Sequence, residues 1–203
     1  MADDLAGADV VLLVGDITDF GRRQEIRTVV DAVRGCNERI LAVPGNCDYP
    51  EVADYLSEEG INLHRTWCEV EGVAFVGLGG SLPCPGQTPV EYSDAELGVF
   101  LHEATTGLAA EMPMVLVTHE PPYGTDVDKA YTGEHVGSEA VRRFIEEKHP
   151  KVCLTGHIHE GRGVDMPGFT MVVNPGPLSG GGYGYVKIID GTVEAQVRGQ
   201  GLG

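Results

Sequence analysis

The run Gly156-His157-Ile158-His159 directly follows the apolar stretch Val152-Cys153-Leu154-Thr155. A strand ending there sends two imidazoles, one residue apart, out of the same tight turn, so both reach one small volume above the strand's carboxyl end. That is a metal-site geometry. Two histidines also meet by chance in polar loops, and the pair alone leaves that alternative standing. Three further segments bear on the choice, because each places a ligand-type residue just after a buried-looking strand. Val10 to Val14 runs into Gly15-Asp16-Ile17-Thr18-Asp19-Phe20-Gly21, Ile40 to Val43 into Pro44-Gly45-Asn46-Cys47-Asp48, and Met114 to Val117 into Thr118-His119-Glu120-Pro121-Pro122. In a layered α/β protein the carboxyl ends of parallel strands face one crevice, so Asp16, Asn46, His119, His157 and His159 can converge. A set of carboxylate, amide oxygen and imidazole suits Mn²⁺, Fe or Zn²⁺ better than Mg²⁺ or Ca²⁺, which favour oxygen alone.

The elements that must position these residues are readable from periodicity. Gly21 to Gly35 carries Ile26, Val29, Val30 and Val33 at helical spacing and predicts an amphipathic helix stopped by Gly35. Pro50 to Glu59 predicts a helix with proline in its first turn, and Ile61 to Leu63 and Val73 to Leu78 predict short strands. Ser93 to Thr106 opens on a capping-box pattern. Ser138 begins another helix that ends near Pro150. Thr170 to Val173, Tyr183 to Ile189 and Val193 to Val197 predict consecutive strands, the last two joined at Asp190-Gly191, a hairpin signal. Met1 to Asp9 reads as the tail of a connection. The Gly/Pro-rich run Gly79 to Gly86 is a loop beside the crevice, and Pro121 to Ser138 is long enough to be a lid or substrate loop, with His135 its residue of interest.

The four motifs, in this order and each behind a strand, resemble those of the calcineurin-like metallophosphoesterase superfamily. From His119 through Asn174-Pro175-Gly176-Pro177 the chain is similar to the small prokaryotic members. The resemblance implies an α/β fold, an αββα sandwich of two mixed sheets flanked by helices, spanning 1–203 as one domain. It implies two metals, with Asp16 bridging them, Asn46, His119 and His157 holding the second, and His159 belonging to the first. The first-site motif of the family, a strand ending in Asp-x-His, has no counterpart here, since the chain contains no Asp-x-His and no histidine before His64. A sequence that starts late, incomplete at the N-terminus relative to the family, is the expectation. One metal in place of two follows from it.

Many members of the family have His where this chain has Cys47, and that His is taken to protonate the leaving group. Small prokaryotic relatives also have Cys. Cys47 and Asp48 are therefore the candidate catalytic residues, with a small buried thiol and a turn carboxylate as their plainer readings, and Asp19 is a candidate hydrogen-bond partner for a ligand. The implied reaction is hydrolysis of a phosphomonoester or phosphodiester by a metal-bound hydroxide. The alternative is a partner-binding scaffold of the same fold without catalysis.

Composition narrows the partners. The chain has 203 residues, 42% of them hydrophobic and 22% charged, ample for one globular core. A formal net charge of -17 argues against non-specific nucleic-acid binding and leaves a small phosphorylated substrate to be held locally. Five cysteines without a C-x-x-C pair argue for a reducing cytoplasm, and no apolar run approaches the ~20 residues of a membrane span. A homo-oligomer, including one formed by exchange of an edge strand, stays open.

Overall fold

A computed structural model describes residues 1–189 and 191–199. Its architecture is four layers, and the alternation of side chains along each strand shows why. β1 (Val11–Val14) pairs in parallel with β2 (Ile40–Val43). β3 (Trp67–Val70), β4 (Val73–Leu78), β5 (Met114–Thr118), β6 (Val152–Leu154), β7 (Gly163–Asp165) and β8 (Met171–Asn174) form a six-stranded mixed sheet in the order β3-β4-β5-β6-β8-β7. β9 (Tyr183–Ile189) and β10 (Thr192–Arg198) form an antiparallel ladder.

Along β5, Met114 and Leu116 point to one face while Val115 and Val117 point to the other. The first face packs against α4 (Asp94–Ala104) and α5 (Glu139–Lys148) through Leu97, Leu101, Val141, Phe144 and Ile145. The second face meets Leu41 and Val43 of β2 and the inward side of the β9–β10 ladder, forming the core between the sheets. Ile40 and Ala42, on the outer face of β2, pack under α2 (Arg23–Arg34) and α3 (Pro50–Glu58) with Ile26, Val30, Val52 and Leu56. Helix, sheet, sheet, helix is the αββα sandwich, and strands covered on both faces read as continuous apolar runs for that reason.

Several local expectations need correction. Ile61 to Leu63 is not a strand. It crosses between the layers, where Asn62 makes a single bridge to Ala42 and His64 a single bridge to Gly77. A Cβ at Gly77 would lie 2.3 Å from that of Leu63, so only glycine admits this crossing. Periodicity does not announce β3 and β7, because Trp67–Val70 and Gly163–Asp165 are short edge strands without alternation strong enough to read. The N-terminal stretch forms the short helix α1 (Ala2–Ala6), which leads into β1. Tyr183 donates to Asp4 at 2.8 Å, Arg198 pairs with Asp4 at 2.8 Å, and Asn37 Nδ2 donates to the carbonyls of Leu5 and Ala8. The second sheet layer is two separate ladders joined by apolar contacts, since among the described residues no strand pairs with the other edge of β1. Ile189 and Thr192 face each other as the hairpin signal requires, while Asp190 lies outside the described residues. No helix among those described is long and apolar enough to cross a membrane.

Candidate metal centre

The turn after β1 is shaped by two close approaches. Gly15 sits at φ +79, and a Cβ there would lie 2.1 Å from His119 Nδ1, so a side chain is excluded. The following Asp16 is held at φ 44, a left-handed backbone that costs a non-glycine residue energy and that recurs where function demands it. A Cβ at Gly45 would lie 2.0 Å from Asp16 N. The loops after β1 and β2 are thus pressed together, and Asp48 is what joins them. Its carboxylate accepts from Ile17 N, Thr18 N and Gly45 N at 3.1, 2.8 and 2.8 Å, and from the Thr18 hydroxyl at 2.7 Å. Asp48 is fully buried, with both oxygens committed to these donors.

At the end of β5, His119 is 1% exposed. Its Nδ1 lies 3.0 Å from the Val14 carbonyl, an acceptor only, which places the N–H on that nitrogen. Nε2 then carries the lone pair, 2.9 Å from Asn46 Oδ1 and 3.4 Å from Asp16 Oδ1. Asn46 is turned this way because its Nδ2 donates to Thr88 Oγ1 at 3.0 Å. An imidazole nitrogen, an amide oxygen and a carboxylate oxygen therefore face one another. Three acceptors this close repel unless a proton or a metal cation lies among them, and the mixture of donors fits a divalent metal.

His157 completes the cluster. It too has a left-handed backbone, φ 61, in a turn held by Asn174 Nδ2, which donates to the carbonyls of Gly156 and Ile158 at 3.3 and 2.8 Å. Ligand atoms of Asp16, His119 and His157 all lie within 4.8 Å of one another. Burial opposes ionisation of Asp16, but the hydrogen bond and charge of His119 outweigh it and bring its pKa to about 2. For His119 burial disfavours the charge, and the hydrogen bond and charge of Asp16 reverse this and raise its pKa. Burial, then the charge of His119, lower His157 to about 4. A proton and a metal thus compete for the same lone pairs, and metal binding releases protons.

The structure therefore brings together Asp16, Asn46, His119 and His157, and His159, assigned by resemblance to the other site, is not among these ligand atoms. His159 is exposed, begins a 3-10 turn (His159–Gly161), and is outside the cluster of ligand atoms. Cys47 donates its backbone N–H to Asp16 Oδ1 at 2.8 Å. Burial and then the charge of Asp16 push its thiol up to about 12. Asp19 is exposed. His135 lies on the loop after β5, with Nδ1 2.6 Å from an oxygen of Asp128, whose carboxylate is buried and also accepts from Gly124 N, Thr125 N and Gly137 N.

Four residues around the centre escape the sequence reading. Cys84 lies in the Gly79 to Gly86 loop, where no pattern singles it out, and Thr88 lies just beyond that loop. Asn174 begins the Asn-Pro-Gly-Pro run, whose residue types alone suggest no role for it. Glu120 is adjacent to His119 yet 0% exposed, and Oε2 accepts from Leu82 N at 2.9 Å while Oε1 has no partner among the described residues. Burial raises its pKa to about 7. A raised carboxyl pKa stabilises the fold below the unfolded-state value near 4.5, and this is lost as pH rises toward 7. In metal-free protein, Glu120→Gln should therefore gain on the parent by roughly 3 kcal/mol between pH 4.5 and 8. Urea unfolding of both at the two pH values checks this, and parallel pH dependences would refute it.

Comparison with known proteins follows the same outline. The model of the calcineurin-like phosphoesterases matches residues 2–161. The uncharacterised protein MJ1162 of Methanocaldococcus jannaschii is 40% identical over 179 residues, which are 85% of this chain and 79% of that protein. The protein TT1561 of Thermus thermophilus superposes with a TM-score of 0.74 at 21% identity, covering 97% of this chain and 94% of that one. The phosphopantetheinyl hydrolase of Mycobacterium tuberculosis superposes with a TM-score of 0.62 at 14% identity, covering 83% and 78%. At such identities the two superpositions speak for the fold alone.

Proposed function

Because the chain belongs to the calcineurin-like phosphoesterase family, we propose that it hydrolyses a small phosphomonoester or phosphodiester with a divalent metal held by Asp16, Asn46, His119 and His157. The convergence of Asp16, His119 and His157 within 4.8 Å, with Asn46 turned onto His119, is the observation that supports this reading most. A bound divalent metal supplies positive charge to the phosphoryl oxygens and acidifies water. Asp16 and the two imidazoles set the position of that charge, and Val14 and Thr88 set the orientations of His119 and Asn46. Mn²⁺, Fe or Zn²⁺ suits this mixture of nitrogen and oxygen donors. With His159 outside the cluster, these residues hold one metal per chain.

The test is chelation followed by stepwise addition of Mn²⁺, with bound metal counted and hydrolysis of chromogenic mono- and diesters followed on the same sample. One metal per chain with restored turnover is expected. No metal and no turnover would favour the scaffold reading, which the absence of an Asp-x-His motif encourages.

Cys47 has a smaller part. In the metal-free protein burial and the charge of Asp16 push this thiol up to about 12, which makes it a poor nucleophile and proton donor at neutral pH. Cys47→Ala is expected to lower kcat/KM by less than about tenfold, since a true general acid contributes about 10²–10⁴-fold. A thousandfold loss with metal binding intact would restore Cys47 to catalysis.

A further inference from the structure

Glu120 poses a question that the metal reading leaves unanswered. It is 0% exposed, and its Oε1 is the buried side-chain atom found without a hydrogen-bond partner among the described residues. A buried, half-satisfied carboxylate is costly, and a fold that keeps one has a use for it. The surroundings say which. Leu82 N, on the loop after β4, fixes Oε2 at 2.9 Å, and the same oxygen lies 4.0 Å from His157 Nε2. On that side of the ring Cys84 Sγ also lies 3.6 Å from Nε2. The site is not a second metal centre, because Cys84, Glu120 and His157 do not converge as Asp16, His119 and His157 do.

A neutral imidazole has one N–H and one lone pair. To serve as a ligand, His157 must carry the lone pair on the nitrogen that faces the metal and the N–H on the other. Nε2 is the nitrogen that has acceptors beside it, and of these the carboxylate is the stronger.

We infer that Glu120 is the positioning residue of His157: it takes the Nε2–H of the imidazole, so that Nδ1 presents its lone pair to the metal beside Asp16 and His119. The inference rests on the metal reading above. The separation of 4.0 Å is too long for a hydrogen bond, and the inference requires it to shorten when ligation fixes the ring. Leu82 holds the carboxylate in place for that contact. The Gly79 to Gly86 loop thereby acquires a task, as the brace behind a metal ligand.

The experiment uses the full chain loaded with Zn²⁺ and labelled with ¹⁵N in its histidines. Long-range proton–nitrogen correlation gives the tautomer of each imidazole, with His157→Gln assigning the signals, and competition with a chelator gives the Zn²⁺ affinity. In the parent, His157 should be the Nε2–H tautomer. In Glu120→Gln, which keeps the shape and an acceptor for Leu82 N, affinity should fall about 10–100-fold, the usual effect of losing an outer partner, and the single tautomer should be lost. Cys84→Ala should keep both the tautomer and the affinity. Ligation through Nε2 in the parent, an unchanged affinity in Glu120→Gln, or a tautomer change in Cys84→Ala alone would each overturn the inference and leave the metal reading standing. If the parent binds no Zn²⁺, or if Asp16→Asn binds it as the parent does, the metal reading itself falls and this inference with it.

Discussion

Asp48→Ala should cost the fold several kcal/mol, an effect large enough to separate a structural carboxylate from a catalytic one. The substitution strips the acceptor from three backbone N–H groups, those of Ile17, Thr18 and Gly45, and from the Thr18 hydroxyl. With Asp48 fully buried, the small void left behind brings no ready replacement. Each buried donor left unpaired costs about 1–3 kcal/mol, so the total is roughly 3 kcal/mol at the least. Against a stability of about 5–15 kcal/mol for a domain of this kind, that is a large fraction. At about 2–4 °C per kcal/mol, Tm should drop by roughly 6–12 °C. Asp48→Asn, which keeps one acceptor oxygen, should fall between. Thermal and urea unfolding decide the matter. A Tm within about 2 °C of the parent combined with lost hydrolysis would show that Asp48 acts on the substrate.

A structural Asp48 is the plainer of the two readings its sequence allows, and the contacts that favour it are not local. Gly-Asn-Cys-Asp is a motif in which consecutive residues look equally chemical. Their division of labour depends on contacts with residues far along the chain. Asn46 faces His119 because of Thr88, Cys47 gives a backbone N–H to Asp16, and Asp48 turns back to clamp the two loops. None of these directions has a local signature. Strand identity was legible where the strand is covered on both faces, as in β1, β2, β5 and β6, since burial on both sides leaves an uninterrupted apolar run. β3 and β7, at the edges of the large sheet, leave no such run. The positions of Asp16, Asn46, His119 and His157 were legible for a related reason: a residue just past the end of a buried strand has few places to go. His159 shows the limit. Two residues beyond His157 the chain is already in a 3-10 turn, and strand periodicity no longer says where the second imidazole goes. Glu120 shows the opposite limit, a carboxylate in plain sight beside a histidine whose burial no composition rule foretells.

Asp16→Asn should abolish metal binding and hydrolysis while leaving a folded protein. The geometry favours a clean result. Asparagine tolerates the left-handed backbone at φ 44 better than most residues, and its side-chain oxygen can still accept the N–H of Cys47. What it removes is the negative charge that offsets a divalent cation beside two imidazoles and an amide. Losing an outer partner of a ligand already costs about 10–100-fold in affinity, so loss of the charged ligand itself should exceed roughly a hundredfold, and kcat/KM should fall at least as far. The stability penalty is smaller and has a definite pH signature. Because the folded-state pKa of Asp16 is depressed from 3.8 to about 2, its contribution is present above pH 3.8 and is lost as pH falls through 2. In metal-free protein this amounts to about 2 kcal/mol at neutral pH. The substitution should therefore lower Tm modestly at pH 7 and hardly at all at the acid end, while at neutral pH bound metal drops from one per chain to none. Metal counting and hydrolysis measured beside unfolding at both pH values separate the two effects. A folded Asp16→Asn protein that still binds one metal and turns over at the parental rate would remove Asp16 from the centre, and with it the common point on which Asn46, His119 and His157 are argued to meet.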